Sequence, residues 1–150
     1  MNDLEKAIVL ALEKHTGQKD KIGKAYILHP LRVMTQMETE EEMTVAVLHD
    51  VIEDTPTTAK DLEKAGFSKR IVQAVEALSR QNGEKYEDYI DRVAANELAV
   101  KVKIADLRDN TSVGRLIMVT EDDIARVARY KKALAKLKRI SRERVTQSMC

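Results

Sequence analysis

Hydrophobic residues recur at helical spacing along nearly all of the chain, in segments separated by short polar breaks. Glycines and polar residues between positions 16 and 26 predict a loop, and the Gln81-Asn82-Gly83 run predicts a turn. No segment has a convincing strand pattern, so we expect an all-α fold, one compact helical bundle. The predicted helices, in chain order, cover roughly Asp3–His15, Pro30–Met37, a segment from Glu40, a short helix ending at Ala65-Gly66, Ser68–Leu78, Tyr86–Val93, Glu97–Asn110 and Glu121–Arg144.

The second and third predicted helices carry polar residues at their ends. Proline is favoured in the first turn of a helix, so Pro30 leaves His29 at the N-terminal edge of the second one. The third is almost continuously apolar through Val45–Leu48, which predicts a buried helix. Such a helix places His49 and Asp50 at its inner end.

Length and charge limit the functions that are open to this chain. Its 150 residues fit one domain that spans 1–150. Lys and Arg number 26 against 25 Asp and Glu, so no overall field attracts nucleic acid or a membrane. A single cysteine, Cys150, and an N-terminus without signal-sequence features are typical of a cytoplasmic protein. We therefore expect a cytoplasmic protein without nucleic-acid or membrane partners, and a homo-oligomer is compatible with the sequence.

Four residues form a candidate metal-binding set: His29, His49, Asp50 and Asp106. Two imidazoles and two carboxylates make a mixed nitrogen and oxygen ligand set that suits Mn²⁺, Fe²⁺ or Zn²⁺. A divalent ion acidifies bound water and offsets the charge of a phosphoryl oxygen. The sequence therefore predicts metal-assisted hydrolysis.

An acidic pair, Glu53 and Asp54, follows His49 and Asp50 by about one helical turn. If one helix runs through both pairs, residues four apart share a face, which sets His49 above Glu53 and Asp50 above Asp54. The pair then supplies carboxyl groups for proton transfer beside the metal ligands. The alternative is that Glu53 and Asp54 are simply polar residues at a helix end.

A later helix carries Asp106 and Asn110 at the same four-residue spacing, so an amide accompanies the third carboxyl group. A surface salt bridge from Asp106 to Lys103 or Arg108 is the alternative to metal binding. Basic residues near these segments are candidates for binding substrate phosphates; they are Lys19, Lys21, Lys24, Arg32, Lys101, Lys103 and Arg108.

Three blocks of the chain resemble a known family. They are HTGQKDKIGKAYILHPLRV (His15–Val33), AVLHDVIEDT (Ala46–Thr55) and KVKIADLRDN (Lys101–Asn110). In this order they are similar to the HD-domain hydrolase module of RelA/SpoT homologues, most of all to the stand-alone small alarmone hydrolases. The resemblance covers about residues 4 to 112 and implies an all-α HD bundle.

The resemblance also implies roles for individual residues. It implies Mn²⁺ binding by His29, His49, Asp50 and Asp106, and a catalytic acidic pair. By position, Glu53 and Asp54 match that pair and Asn110 matches an active-site asparagine. The family reaction removes the 3′-pyrophosphate of (p)ppGpp, giving GDP or GTP and pyrophosphate, by attack of a metal-activated water on phosphorus. Synthesis of the alarmone is not expected, because the chain as given is too short for the family's synthetase domain.

One position departs from the family pattern. An Arg-Lys pair follows the "GQ" region in characterised alarmone hydrolases, and an arginine helps to hold the guanine base. Here Asp20 stands at the aligned position, followed by Lys21, which remains able to meet a phosphate. A carboxylate cannot stack on a base as a guanidinium does. Hydrolysis of another nucleotide or dinucleotide phosphate therefore stays open as an alternative, with a catalytically silent nucleotide sensor as a third.

Overall fold

A computed structural model of the chain describes residues 1–116 and 120–149, and these residues form nine helices. An isolated bridge between Lys19 and Ala25 is the sole β-type pairing in the described part of the chain, so the predicted all-α fold is confirmed. Cys150 lies outside the described residues. The helices are α1 (Asp3–His15), α2 (Leu28–Thr35), α3 (Glu40–Leu48), α4 (Val51–Asp54), α5 (Ala59–Lys64), α6 (Lys69–Ala77), α7 (Tyr86–Ala94), α8 (Glu97–Arg115) and α9 (Glu121–Met149).

Side-chain caps determine where several helices begin. Thr39 caps α3 and Thr58 caps α5, each accepting a hydrogen bond from a backbone amide three residues on. In both cases an acidic side chain at that third position bonds back to the cap, which completes a capping box. Asn96 caps α8 through its side-chain oxygen. Polar residues of this kind satisfy the amides that the first helical turn leaves without partners.

Helix α3 lies at the centre of the bundle. Its residues Val45–Leu48 are fully buried, which confirms the prediction of a buried helix. Helices α1, α2, α6 and α8 pack around it. Helix α8 in turn contacts α2, α3, α6, α7 and α9, so these two helices form the frame on which the site residues are held.

The helix that carries His49 does not continue through Asp54, contrary to the assumption made from the sequence. Helix α3 ends at Leu48, His49 is its C-cap, and Asp50 (φ −102°, ψ 0°) precedes the short helix α4. The imidazole Nδ1 of His49 and its own backbone amide both bond to the Ala46 carbonyl, so the regular helical ladder is interrupted there. The premise for setting His49 above Glu53 therefore fails, whereas the Asp54 amide still donates to the Asp50 carbonyl at 2.9 Å.

The two last helices are longer than predicted and lie close together. Helix α8 continues past Asn110 to Arg115, and α9 continues past Arg144 to Met149. A Cβ added at Gly114 would meet Val127 Cγ2 at 2.8 Å, so glycine permits this close approach of α8 and α9. No helix in the described ranges combines the length and the apolar character needed to cross a bilayer.

Candidate metal centre

The four predicted metal ligands come from separate elements and meet in the structure. His29 lies in the first turn of α2, His49 and Asp50 form the junction of α3 and α4, and Asp106 lies in the middle of α8. One ligand atom from each side chain lies within 4.8 Å of the other three. The two histidines and Asp106 are buried, and Asp50 is half-buried.

Short distances relate the imidazole nitrogens to the carboxylates. His29 Nε2 lies 2.8 Å from Asp106 Oδ1 and 3.7 Å from Asp50 Oδ2. His49 Nε2 lies 3.0 Å from Asp50 Oδ2 and 3.3 Å from Asp106 Oδ1. Both Nε2 atoms therefore face the same two carboxylate oxygens.

The other nitrogen of each imidazole is held by an acceptor outside this cluster. His49 Nδ1 donates to the Ala46 carbonyl at 2.6 Å, and His29 Nδ1 lies 2.6 Å from Asp109 Oδ2. An acceptor at Nδ1 fixes the hydrogen there and leaves the Nε2 lone pair for a metal. Two such imidazoles and two carboxylates are the donor set of a divalent transition metal, so these four side chains form a candidate metal site.

The carboxylate of Asp109 supports His29 from behind and is itself held by a cation. Arg32 Nε donates to Asp109 Oδ1 at 2.7 Å, and Arg32 Nη2 to Oδ2 at 3.0 Å. Burial raises the pKa of Asp109, but hydrogen bonds with His29 and Arg32 outweigh it and hold the pKa at about 2, so the group is anionic at neutral pH. An anionic acceptor orients the imidazole and increases its basicity toward a metal.

Asp109→Asn is expected to weaken Mn²⁺ binding by roughly 10- to 100-fold, the usual effect of losing such a supporting partner. Isothermal titration of metal into the stripped protein measures the change. Asp91→Asn is the matched control, because Asp91 is a surface carboxylate that pairs with Lys136 at 2.5 Å. Equal affinity in the Asp109 variant and the wild type would rule out a supporting role for Asp109.

The metal-free cluster binds protons that a metal must displace. Burial lowers the pKa of His29, but hydrogen bonds to Asp106 and Asp109 outweigh it and raise the pKa to about 9. Burial likewise lowers the pKa of His49, and the charges of Asp50 and Asp106 raise it well above its usual range. Burial opposes the charge of Asp106, yet Lys103 and His49 hold the pKa of that carboxyl well below its usual range.

These shifts give metal binding a defined pH dependence. Below a pH of about 9 His29 carries a proton in the metal-free protein, and that proton must leave before Nε2 binds an ion. The apparent Mn²⁺ affinity is therefore expected to rise by at least roughly tenfold per pH unit between about pH 6.5 and 8.5. Calorimetric titrations across this interval measure it, and a flat affinity would contradict the protonated cluster.

The predicted acidic pair lies at the exposed end of this cluster. The Tyr26 hydroxyl contacts Asp50 Oδ2 and, at 3.2 Å, Asp54 Oδ2, so it links Asp54 to a candidate ligand. Glu53 Oε1 accepts a hydrogen bond from the backbone amide of Arg80 at 2.7 Å. Burial, together with the charge of Asp50, raises the pKa values of both Glu53 and Asp54. Carboxyl groups with raised pKa values are suited to accepting and returning protons.

Lys103, a predicted substrate contact, is buried and paired with a candidate metal ligand. Its ammonium is 2.8 Å from Asp106 Oδ2 and 5.1 Å from the centre of the Tyr89 ring, and the residue is only 9% exposed. This position neutralises Asp106 inside the bundle, and the predicted contact of Lys103 with substrate stays a prediction. Asn110 does lie beside the cluster, since its Nδ2 donates to Asp106 Oδ1 at 3.0 Å.

A cavity of about 270 Å³ opens beside His29 and Asn110. Two of the other predicted cations lie elsewhere: Lys101 pairs with Glu42 at 2.8 Å, and it borders a second cavity with Arg108. The first cavity has basic and aromatic walls; its lining includes Lys19, Lys21, Arg32, Arg126, Tyr26 and Tyr130.

Asp20 lies on this cavity and also shapes the loop that carries Lys21. Its Oδ1 accepts hydrogen bonds from the backbone amides of Ile22 at 3.0 Å and Lys24 at 2.9 Å. Gly23 has a φ of +86°, which the tight turn requires and which side chains other than glycine rarely adopt. The Asp20 carboxylate therefore accepts two backbone hydrogen bonds that a guanidinium, which has no acceptor atom, could not accept.

Sequence reasoning missed several residues of this site. Tyr26 and Asp109 lie inside the blocks quoted above, and Asp109 is three residues after Asp106 on the same helix face. Their position in those blocks, and the three-residue spacing of Asp109 from Asp106, were the available signals, although neither shows which side chains they contact. Arg126 and Tyr130 had none, because their approach to the cavity depends on how α9 packs on α8.

Comparison with known proteins places the chain in a family. No family model matches it. A guanosine-3′,5′-bis(diphosphate) 3′-pyrophosphohydrolase of Aquifex aeolicus is 32% identical over 120 residues, which cover 72% of this chain and 17% of that protein. The bifunctional (p)ppGpp synthase/hydrolase SpoT of Escherichia coli is 34% identical over 110 residues, covering 70% of this chain and 16% of SpoT. The chain belongs to the HD domains of the RelA/SpoT homologue family.

A solved structure supports the same fold for this RelA/SpoT homologue. It is described as "A metazoan ortholog of SpoT hydrolyzes ppGpp and plays a role in starvation responses", with a TM-score of 0.76 and 23% identity. The match covers 96% of each chain, which confirms the predicted HD bundle. The curated relatives are much longer, since the chain spans about a sixth of their length.

Proposed function

We propose that this chain is a Mn²⁺-dependent phosphohydrolase that removes the 3′-pyrophosphate of (p)ppGpp, giving GDP or GTP and pyrophosphate. The observation that carries the proposal is the convergence of His29, His49, Asp50 and Asp106 within 4.8 Å. Two relatives, which are 32% and 34% identical to the chain and are named for this reaction, also support the proposal. The proposal treats residues 1–150 as one HD-type hydrolase domain that acts in the cytoplasm on a small nucleotide.

The same four side chains are the proposed metal ligands, His29 and His49 through Nε2 and Asp50 and Asp106 through one oxygen each. A bound divalent ion supplies Lewis-acid chemistry, lowering the pKa of water and offsetting phosphoryl charge. Manganese is the proposed ion because it accepts imidazole and carboxylate ligands together. All four ligands belong to one chain, so the proposed site needs no partner subunit.

Glu53 and Asp54 are the proposed proton-transfer groups. An attacking water forms a bond to the phosphorus attached to the ribose 3′-oxygen, and the bond from that oxygen to phosphorus breaks. A carboxylate of the pair takes the proton of the water, and the 3′-oxygen receives a proton in return. Burial raises the pKa of Glu53 and of Asp54, which brings both groups closer to the pH at which they act.

The basic wall of the cavity is the proposed binding surface for the remaining phosphates. Lys21 and Arg126 line the same cavity. Burial and the charge of Arg126 lower the pKa of Lys21, and the charge of Asp123, which pairs with Arg126 at 2.5 Å, opposes this shift. A phosphate between Lys21 and Arg126 relieves their repulsion and accepts hydrogen bonds from both. Asn110 lines the same cavity and is the proposed amide contact.

Asp20 favours a second candidate, hydrolysis of another nucleotide or dinucleotide phosphate. Its carboxylate lies on the cavity wall and repels an anionic ligand, whereas the resemblance implies an arginine at this position. The reaction chemistry is the same in both candidates. The two candidates differ only in the part of the substrate, other than its phosphates, that the cavity binds.

A substrate panel decides between these candidates. The Mn²⁺-loaded protein is given ppGpp, pppGpp, nucleoside monophosphates and a phosphorylated dinucleotide cofactor, and each product is separated by anion exchange. The proposal expects the highest kcat/KM for ppGpp or pppGpp, with pyrophosphate released in equal amount to GDP or GTP. A higher kcat/KM for another nucleotide would contradict (p)ppGpp as the substrate and favour the second candidate.

A further inference from the structure

The loop between α6 and α7 holds one of the proposed proton-transfer groups. The backbone amide of Arg80, just past the end of α6, donates to Glu53 Oε1 at 2.7 Å. This contact joins the loop to a carboxylate that is 27 positions earlier in the chain. It occupies one oxygen of Glu53 and so fixes the direction of the other.

A side chain of α7 fastens this loop to the end of α6. Arg92 Nη1 donates to the carbonyls of Glu76 at 3.1 Å and Ala77 at 3.3 Å. Arg92 Nη2 donates to the Ser79 carbonyl at 2.8 Å. The Glu76 and Ala77 carbonyls belong to the last turn of α6, and Ser79 lies just past its C-cap, Leu78. The guanidinium therefore closes the end of the helix immediately before Arg80.

The same guanidinium fixes the far side of the loop through Glu84. Arg92 Nε and Nη2 donate to the two oxygens of Glu84, at 3.0 and 2.9 Å. Glu84 Oε1 also accepts the Gln81 amide at 3.1 Å, and the Glu84 carbonyl accepts Arg80 Nε at 3.1 Å. Arg92 thus holds both sides of the segment that presents the Arg80 amide.

Arg92 lines neither the cavity beside His29 nor the open cavity that Glu53 borders. Glu84 does border the second of these with Glu53 and Arg80, but both of its carboxylate oxygens accept hydrogen bonds from Arg92. Any influence of Arg92 on the reaction must therefore pass through the loop to Glu53.

We propose that Arg92 and Glu84 are positioning residues for the reaction, which keep the Arg80 amide on the carboxylate of Glu53. The inference rests on the proposed function of Glu53 in proton transfer. It adds a second set of residues, outside the blocks that resemble the family, on which turnover depends.

Arg92→Lys is the test variant, because one ammonium cannot replace a planar guanidinium that serves Glu84 and the α6 carbonyls together. We expect kcat to fall by roughly 10- to 100-fold, the scale of a small misplacement of a reacting group. The KM and the Mn²⁺ affinity are expected to stay unchanged. Arg70→Lys is the matched control, since Arg70 pairs with Glu41 at 3.2 Å on the surface.

A double-mutant cycle separates positioning from a general loss of structure. In a Glu53→Gln background the group to be positioned is gone, so Arg92→Lys is expected to cause no further fall in kcat. An equal fall in both backgrounds would overturn the inference. Glu84→Gln, which keeps a hydrogen-bond acceptor, is expected to lower kcat less than Arg92→Lys does, and a larger fall would also count against it.

Amide hydrogen exchange tests the inference even if ppGpp is not the substrate. We expect the Arg80 amide of ¹⁵N-labelled protein to exchange at least roughly tenfold faster in Arg92→Lys, while amides within α3 keep their protection. Unchanged protection of Arg80 would overturn the positioning role. Absence of turnover by the wild type would instead refute the proposed function, and the exchange result would still decide whether Arg92 holds the contact.

Discussion

Asp106→Asn is expected to abolish Mn²⁺-dependent hydrolysis and to weaken Mn²⁺ binding by more than roughly 100-fold, beyond the effect of losing an outer partner. Asp106 Oδ1 lies 2.8 Å from His29 Nε2 and 3.3 Å from His49 Nε2, and Lys103 is bonded to Oδ2. An amide at this position removes the negative charge that all three groups face. Metal titration and a hydrolysis assay measure the two losses.

The fold of this variant must be verified, because Lys103 is buried against Asp106. An uncompensated buried charge costs about 3–5 kcal/mol, and the amide oxygen of Asn retains an acceptor that moderates this cost. Circular dichroism and thermal unfolding establish that the variant is folded at the assay temperature. Asp88→Asn is the control, since Asp88 is an exposed carboxylate in the first turn of α7. Full activity in a folded Asp106→Asn protein would refute the metal site.

Glu53→Gln and Asp54→Asn are each expected to lower kcat by roughly 10²- to 10⁴-fold, the usual contribution of a proton-transfer group. Neither residue is a candidate ligand, so the Mn²⁺ affinity is expected to stay within a few-fold of the wild type. The double variant is expected to lose less than the product of the single losses, because both groups serve the same proton transfers. Single-turnover assays at saturating metal measure these effects.

Glu63→Gln provides the matched control for this pair, because Glu63 is an exposed carboxylate on the nearby helix α5. A pH profile adds a second observation. Burial raises the pKa of both Glu53 and Asp54, so the base form that takes the proton of water is lost at higher pH than for an ordinary carboxyl group. Wild-type kcat in either variant would remove that residue from the mechanism.

The sequence predicted the four candidate ligands that converge in the structure, because their residue types and order are informative even without coordinates. It did not predict the break between α3 and α4. A nearly continuous apolar run such as Val45–Leu48 has no polar face, so its periodicity gives no sign of where the helix ends. The interruption follows from the bonds of His49 to the Ala46 carbonyl, which depend on the burial of the imidazole.

The contacts that hold His29 and Glu53 in place could not be predicted from the sequence either. His29 and Asp109 are 80 positions apart, and Arg80 and Glu53 are 27 apart, so tertiary packing alone brings them together. The sequence equally allowed Lys103 to serve substrate or to pair with Asp106. Lys103 is buried on α8 and pairs with Asp106, as an ammonium in such a place requires, while its contact with substrate stays a prediction.

The most direct test of the account is metal add-back to stripped protein with ppGpp as substrate. We expect no product without metal, and release of GDP and pyrophosphate in equal amounts once Mn²⁺ is restored. Release that is unchanged without metal would contradict the role of the four-residue site. Mn²⁺ binding without any product from ppGpp would contradict the proposed substrate.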